Sequence, residues 1–361
     1  MGFDEHELAR LTQSNDGLTD PDAVPELPAD PVAQAGDIWR LGRHRVICGD
    51  ARSPDDVASV LDGRLINVAF TSPPYAQQRD YDADSGFRPI PPDRYVEWFA
   101  PAAANVARHL ADDGSWFVNI KPNAEGLDTL LYVLDLVIAH VRSWGWHFAT
   151  EFCWERNGVP KSVTQRFKNQ FEPIYQFARG RWKMRPDNVR HESDNIPRTG
   201  GPGSGQTSWR NAQGKPGGVV NNTFGAVKKR RNGTSRFMSD VQGENHDFGE
   251  YIGPGMAYPG NRLPIFSSTM EALGHAAAFP VGLPEFFSKA YADPGDVIYD
   301  PFAGTGSTLM AAERTGCIGI AVEISPAYVD VTIQRWQDFT GEIATRERDG
   351  IPFNELKEKA A

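Results

Sequence analysis

Cysteine is scarce in this chain. Cys48, Cys153 and Cys317 are the only three among 361 residues. They are odd in number and widely scattered, which excludes a disulfide framework and a clustered zinc site, so no metal is expected. Long apolar runs are also missing: none approaches a membrane span, and no basic-then-apolar leader is legible. A reducing cytoplasm is the expected compartment. Hydrophobic residues make up 40% and charged residues 23%, which places the chain among soluble globular proteins rather than disordered ones. The length suits one large α/β domain with an insertion, or two modest domains. Net positive charge is lacking as well. A formal charge of −10 argues by itself against a nucleic-acid partner, but its distribution reverses that reading. Between Arg156 and Arg236 stand 17 Lys/Arg against 4 Asp/Glu, and the rest of the chain carries 20 against 43. Such segregation points to a phosphate-binding face, with a solvated basic loop as the plainer alternative.

Residues 1–35 read as an N-terminal linker, acidic and marked by Pro21, Pro25 and Pro31. Regular structure is expected from Gly36. Residues 39–42 and 44–48 read as short strands closing at Gly49-Asp50, and Ser53-Pro54 as a capped helix start. Residues 66–70 are a strand. Tyr95, Val96, Phe99, Ala103, Val106 and Leu110 recur at helical spacing. A strand over 115–120, a helix over 127–141 and a strand over 146–154 follow. From Arg156 periodicity fades, apart from 171–177. Residues 156–271 hold 16 of the 35 glycines and read as an irregular basic lobe inserted in the fold. The alternation resumes with a helix from Pro284 towards Tyr291, a strand before Asp300 and a helix from Ser307. A strand over 317–323 and a helix over 326–339 complete it, leaving 346–361 as a C-terminal tail. This pattern predicts an α/β protein with a mainly parallel sheet covered on both faces. Its Rossmann-like core would be assembled from 36–155 and 272–345.

Two of these strands empty into turns that can carry chemistry. The first leads into Thr71-Ser72-Pro73-Pro74-Tyr75, a short hydroxyl, a proline pair that stiffens the turn, and an aromatic ring. The second leads into Asp300-Pro301-Phe302-Ala303-Gly304-Thr305-Gly306-Ser307-Thr308. Its glycines let a ligand approach the backbone, and the helix start offers unpaired N–H groups. Glu323 closes the next strand, near where nucleotide-binding folds place an acid on ribose hydroxyls. A P-loop is excluded because no lysine follows the second glycine. The plainer readings are a structural glycine turn and a Pro-Pro turn with a packed tyrosine.

Together the two motifs resemble those of DNA amino-methyltransferases. The catalytic motif comes first, then the basic lobe, then the cofactor loop, an order that resembles the beta group of that family. The resemblance implies a catalytic set of Ser72, Pro73, Pro74 and Tyr75. Hydrogen bonds from an exocyclic amine to the Ser72 hydroxyl and the Pro73 carbonyl would localise a lone pair otherwise delocalised into the ring. Tyr75 would stack on a base flipped from the duplex. The implied cofactor is S-adenosylmethionine, leaving as S-adenosylhomocysteine. Asp50, Thr71, Asp300, Pro301, Phe302, Gly304, Gly306, Ser307, Thr308 and Glu323 would hold it. His275, Phe279 and Pro280 would join them from the segment ahead of the loop. Residues 167–172 with Ile174-Tyr175 resemble in part a segment lining the target-base pocket. The cysteines follow Ile47, Phe152 and Gly316, so the Pro-Cys nucleophile of enzymes methylating cytosine carbon is excluded.

The resemblance further implies double-stranded DNA as partner, a cognate restriction nuclease, and a bacterial or phage origin. The lobe over 156–271 would recognise a specific site, with Lys228, Lys229, Arg230 and Arg231 on phosphates. In this family Ser-Pro-Pro-Tyr is mostly associated with cytosine N4 and Asp-Pro-Pro-Tyr with adenine N6. Cytosine N4 is therefore favoured and adenine N6 is the alternative. A DNA-binding protein with a retired methyltransferase fold, or an RNA substrate, are further readings. The opening, roughly 2–48, resembles the segment joining a ParB-like domain to a methylase in some bacterial and phage proteins, so a truncated or stand-alone form is expected. Above all, Ser72 and Gly304 should lie side by side at one edge of the sheet.

Overall fold

A computed structural model describes residues 17–76, 89–125, 127–156, 169–192, 256–266 and 279–360. The chain divides into two compact units, residues 1–185 with 260–361, and residues 186–259. The first unit opens with the antiparallel pair β1 (Ile38–Leu41) and β2 (His44–Cys48). Helix α1 (Pro54–Leu61) follows. The Ser53 side chain accepts from the Asp56 amide at 3.3 Å, Pro54 occupies the first turn, and Asp62 closes the helix in the left-handed region. Next come β3 (Ile66–Thr71), α2 (Tyr95–His109), β4 (Leu110–Asn119) and a small hairpin of β5 (Ala124–Glu125) with β6 (Asp128–Thr129). Helix α3 (Tyr132–Arg142) leads to β7 (His147–Glu155) and β8 (Phe171–Ala178). In the second unit, β9 (His191–Glu192) pairs with β10 (Met256–Ala257). The first unit resumes with β11 (Arg262–Leu263), α4 (Gly282–Tyr291), β12 (Val297–Asp300), α5 (Ser307–Arg314) and β13 (Ile318–Glu323). It ends with α6 (Pro326–Thr340), β14 (Thr345–Arg346) and α7 (Phe353–Ala360). Among the described residues no helix is long and apolar enough to cross a membrane.

Ten strands form one sheet in the order β11-β7-β8-β4-β3-β12-β13-β2-β1-β14. The five central strands, β4-β3-β12-β13-β2, are all parallel. β8 runs antiparallel to both neighbours and β1 antiparallel to β2 and β14, whereas β11 pairs parallel with β7, so the sheet is parallel at its centre and mixed at its flanks. Alternate residues feed opposite faces, as the period of two requires. Ile47, Ala69, Tyr299, Ile320 and Val322 pack with residues of α1, α2 and α3. Val46, Cys48 and Ala321 pack with residues of α5 and α6. Phe70 turns towards α4, its ring 5.3 Å from Phe287.

Four expectations meet a different arrangement. Residues 17–35 do not read as a detached linker: the Leu18 amide donates to the Phe339 carbonyl at 2.7 Å, and the Val32 and Ala33 amides to Asp330 at 2.6 and 2.9 Å. The helix expected from 127 starts at Tyr132, because Asp128 and Thr129 pair with Glu125 and Ala124 as β6 and β5. Strands β8 and β11 sit in the main sheet, so the sheet reaches into the span given to the basic lobe. Residues 346–361 are not a loose tail either. Arg346 pairs with Trp39 across β14 and β1, and Phe353 is buried edge-on to Trp39 at 5.4 Å.

Candidate active site

Parallel pairing decides where the chemistry-bearing turns go. Ile298 and Tyr299 stand opposite Val68 and Ala69, so β3 and β12 end together and Ser72 emerges beside the glycine turn. Glu323 stands opposite Cys48, so the acid closing β13 lies beside the Gly49-Asp50 turn. Asp50, Ser72, the 301–306 turn and Glu323 thus gather at the carboxyl edge of one sheet, the juxtaposition the motifs predict.

The glycine turn is held from below. Asp300 is fully buried; its Oδ1 accepts from the Phe302 amide at 3.0 Å and its Oδ2 from the Thr308 hydroxyl at 2.6 Å. Glu323 accepts from the Gly304 amide at 2.7 Å and from the Ser325 amide at 2.9 Å. Burial pushes Glu323 up to about 7, against the pull of those amides. Burial likewise raises Asp300 to about 6, opposed by Thr308, the Phe302 amide and Thr71. Gly306 caps α5 at φ 81°, and a Cβ there would lie 2.7 Å from the Thr332 side chain. Gly304, at φ 52°, faces open space instead, so a ligand can reach its backbone. The Ser307 hydroxyl donates to the Phe279 carbonyl at 2.9 Å, tying the turn to the buried Phe279-Pro280 segment. Pro301 is buried beneath the turn, and Phe302 is half-buried against Trp98 at 5.7 Å.

Asp50 is half-exposed and gripped by Arg52, with Nη2 on Oδ2 at 2.7 Å and Nε on Oδ1 at 3.0 Å. Burial pushes its carboxyl up, but the bonds from Arg52 outweigh that and hold it below the usual range. Arg52 also lies over the Trp98 ring at 5.6 Å.

The Ser-Pro-Pro-Tyr turn carries a directed hydrogen-bond chain. The Ser72 hydroxyl donates to Tyr75 Oη at 3.5 Å, and Tyr75 Oη donates to Glu172 Oε2 at 3.0 Å. Glu172, buried on β8, is balanced by Lys121 Nζ at 2.7 Å and the Arg156 guanidinium at 3.4 Å. Arg156 stacks over Trp154 at 4.6 Å. Tyr95 Oη donates to the Pro74 carbonyl at 2.7 Å, fixing the far side of the turn. Thr71, Pro73 and Tyr75 are buried, whereas Ser72 and Pro74 keep partial access to solvent.

His275 and the Lys228–Arg231 cluster lie outside the described residues. Sequence reading passed over Lys121, Arg156 and Trp98. Glu172 fell within a quoted segment, but its link to Tyr75 spans 97 residues of sequence. A lone acid in an otherwise apolar strand is the one signal that marked it.

A family model for DNA methylases matches residues 66–334. The Type II methyltransferase M.PvuII of Proteus hauseri is 25% identical over 296 residues, 76% of this chain and 78% of that one. The Type II methyltransferase M.MwoI of Methanothermobacter wolfeii is 32% identical over 140 residues, 37% of this chain and 20% of its own length. Among solved structures, the PvuII DNA methyltransferase, described as cytosine-N4-specific, shares the fold. Its TM-score is 0.54 at 18% identity, over 93% of this chain and 95% of that one. With the family match running from the strand before Ser72 to the helix after Glu323, the chain belongs to the N6/N4 DNA methylase family, enzymes that transfer a methyl group from S-adenosylmethionine.

Proposed function

We propose that this chain methylates an exocyclic amine of a base flipped from duplex DNA at a specific sequence, cytosine N4 ahead of adenine N6. The observation that carries the reading is the directed chain from Ser72 through Tyr75 to Glu172. With the Ser72 hydroxyl turned towards Tyr75 Oη, 3.5 Å away, the lone pairs of Oγ remain to accept from a substrate amine. The Pro73 carbonyl, stiffened by the adjoining proline, is the second acceptor. Two acceptors on one amine draw its hydrogens out of the ring plane and free the nitrogen lone pair for attack. Glu172, paired with Lys121 and Arg156, holds the Tyr75 hydroxyl in place.

The carboxyl edge fits a nucleoside-like cofactor. Gly304 opens onto free space, and the Glu323 carboxylate, which accepts from the Gly304, Ser325 and Ile324 amides, retains acceptor capacity for a ribose hydroxyl. Asp50 and Phe302 are proposed to complete the rim, with Thr71, Phe279, Pro280, Ser307 and Thr308 buried behind it, and the resemblance assigns His275 to the same site. S-adenosylmethionine, when bound, supplies an electrophilic methyl group. The basic span over 156–271 is proposed as the recognition lobe, and Lys228, Lys229, Arg230 and Arg231 as phosphate contacts.

Support for cytosine N4 is the short hydroxyl of Ser72 where a carboxylate would accompany adenine N6, together with the stated specificity of the PvuII enzyme. Nucleoside mass spectrometry of DNA methylated by the purified protein tests it. N4-methylcytosine is the expected product. N6-methyladenine alone would overturn the choice of base and leave the acceptor geometry standing.

A further inference from the structure

The N-terminal stretch meets the core at one tight bend. Asp20-Pro21-Asp22-Ala23 suits a turn, with a short acid opening it and proline presetting the second position. The Ala23 amide donates to the Asp20 carbonyl at 3.0 Å, and the Asp22 amide to Asp20 Oδ1 at 2.9 Å. Those two bonds close the bend upon itself. The Pro21 carbonyl and the Asp22 carboxylate remain to bond elsewhere.

Different parts of the core take them up. The Pro21 carbonyl accepts from Arg335 Nε at 3.1 Å and Nη2 at 2.7 Å, while Nη1 of that guanidinium donates to the Thr305 carbonyl at 2.9 Å. Asp22 Oδ1 accepts from the Val281 amide at 2.8 Å. Val281 is buried at the amino end of α4, where a helix leaves its first amides without partners of its own. Val281 has no side chain that can cap, so an acid 259 residues away in sequence does so, with its charge towards the positive end of the helix. The two clamps are joined behind the turn. The Ser307 hydroxyl donates to the Phe279 carbonyl at 2.9 Å, two residues before Val281. The bonds therefore close a ring that runs from Pro21 through Arg335, the Thr305–Ser307 backbone and the 279–281 segment back to Asp22.

We propose that residues 20–22 strap the cofactor site, with Asp22 as a positioning residue that holds the 279–281 segment against the glycine turn. The inference rests on the reading of that turn as the place where S-adenosylmethionine binds. Asp22→Ala should raise KM for S-adenosylmethionine about five- to tenfold and leave kcat at saturating cofactor nearly unchanged. Asp22→Asn keeps an oxygen that can accept from the Val281 amide, and should bring KM back to within about twofold of the wild type. Coupling is reciprocal, so a strap that favours the bound site is itself held by the ligand. Hydrogen exchange over residues 18–23 should slow when S-adenosylhomocysteine binds the wild type, and much less in Asp22→Ala. Glu323→Gln separates the two readings. If it leaves cofactor affinity unchanged, the site reading fails and the strap fails with it. If it weakens affinity while Asp22→Ala changes neither KM nor exchange, the strap alone is overturned. Asp22→Ala melting earlier at unchanged KM overturns it too, as does Asp22→Asn behaving no better than Asp22→Ala.

Discussion

Ser72 does its proposed work through a single oxygen whose hydrogen is pointed elsewhere. Ser72→Ala should therefore lower single-turnover methyl transfer by on the order of a hundredfold or more, while calorimetry shows cofactor affinity unchanged. Glu323 offers a test by pH. Its folded value of about 7 lies above the ordinary 4.5 because burial favours the protonated acid. The stability it contributes is complete below the unfolded value and is lost as pH rises towards about 7. Ligand hydroxyls that donate to Glu323 favour the ionised form instead, so cofactor binding should strengthen as pH rises through about 7. Titration calorimetry across that range should show the rise in the wild type and a flat, weaker profile in Glu323→Gln. Ser72 and Glu323 were both legible in the sequence, because each closes a strand next to a distinctive turn. Glu172 was not legible as a partner of Tyr75, because nothing local links two residues so far apart.

The glycine turn depends on an element that its motif does not contain. Arg335 of α6 is buried and, among the described residues, donates to neutral oxygens: the Pro21 carbonyl at 2.7 Å, the Thr305 carbonyl and hydroxyl at 2.9 and 3.3 Å and the Ser307 hydroxyl at 3.3 Å. Burial lowers its value to about 10, offset in part by Asp22 and Asp20, so it stays charged near neutrality. The N-terminal stretch and the cofactor turn thus share one guanidinium. Arg335→Met should leave the Pro21 and Thr305 carbonyls without that donor and cost about 1–3 kcal/mol, read as a lower melting temperature. KM for S-adenosylmethionine should rise several-fold, with kcat nearly unchanged. A protein that melts earlier at unchanged KM would mean that Arg335 supports the fold alone. Helix α6 was readable from its periodicity, but the direction in which Arg335 points was not. A charged residue on a helix reads as solvent-facing until the partner segment is known.

At the scale of the whole molecule, charge is segregated along the chain, +13 between Arg156 and Arg236 against −23 elsewhere. If Lys228, Lys229, Arg230 and Arg231 contact phosphates, neutralising all four should weaken DNA binding across sequences and flatten the salt dependence. The log–log slope should fall by roughly three to four units. Fluorescence anisotropy over a salt series measures both, and an unchanged slope would make the cluster a bystander. The sequence by itself determined the alternation of strands and helices, the two turns with their residue types, and the segregation of charge. Each of these is written in local spacing or composition, which needs no distant partner to be read. Tertiary structure alone decided that strands far apart in sequence pair in parallel and end together, that β8 runs against its neighbours, and that Leu18, Val32, Ala33 and Phe353 pack on the core unit. Those outcomes follow from burying both faces of one sheet and satisfying its polar groups, conditions that only the assembled chain can meet.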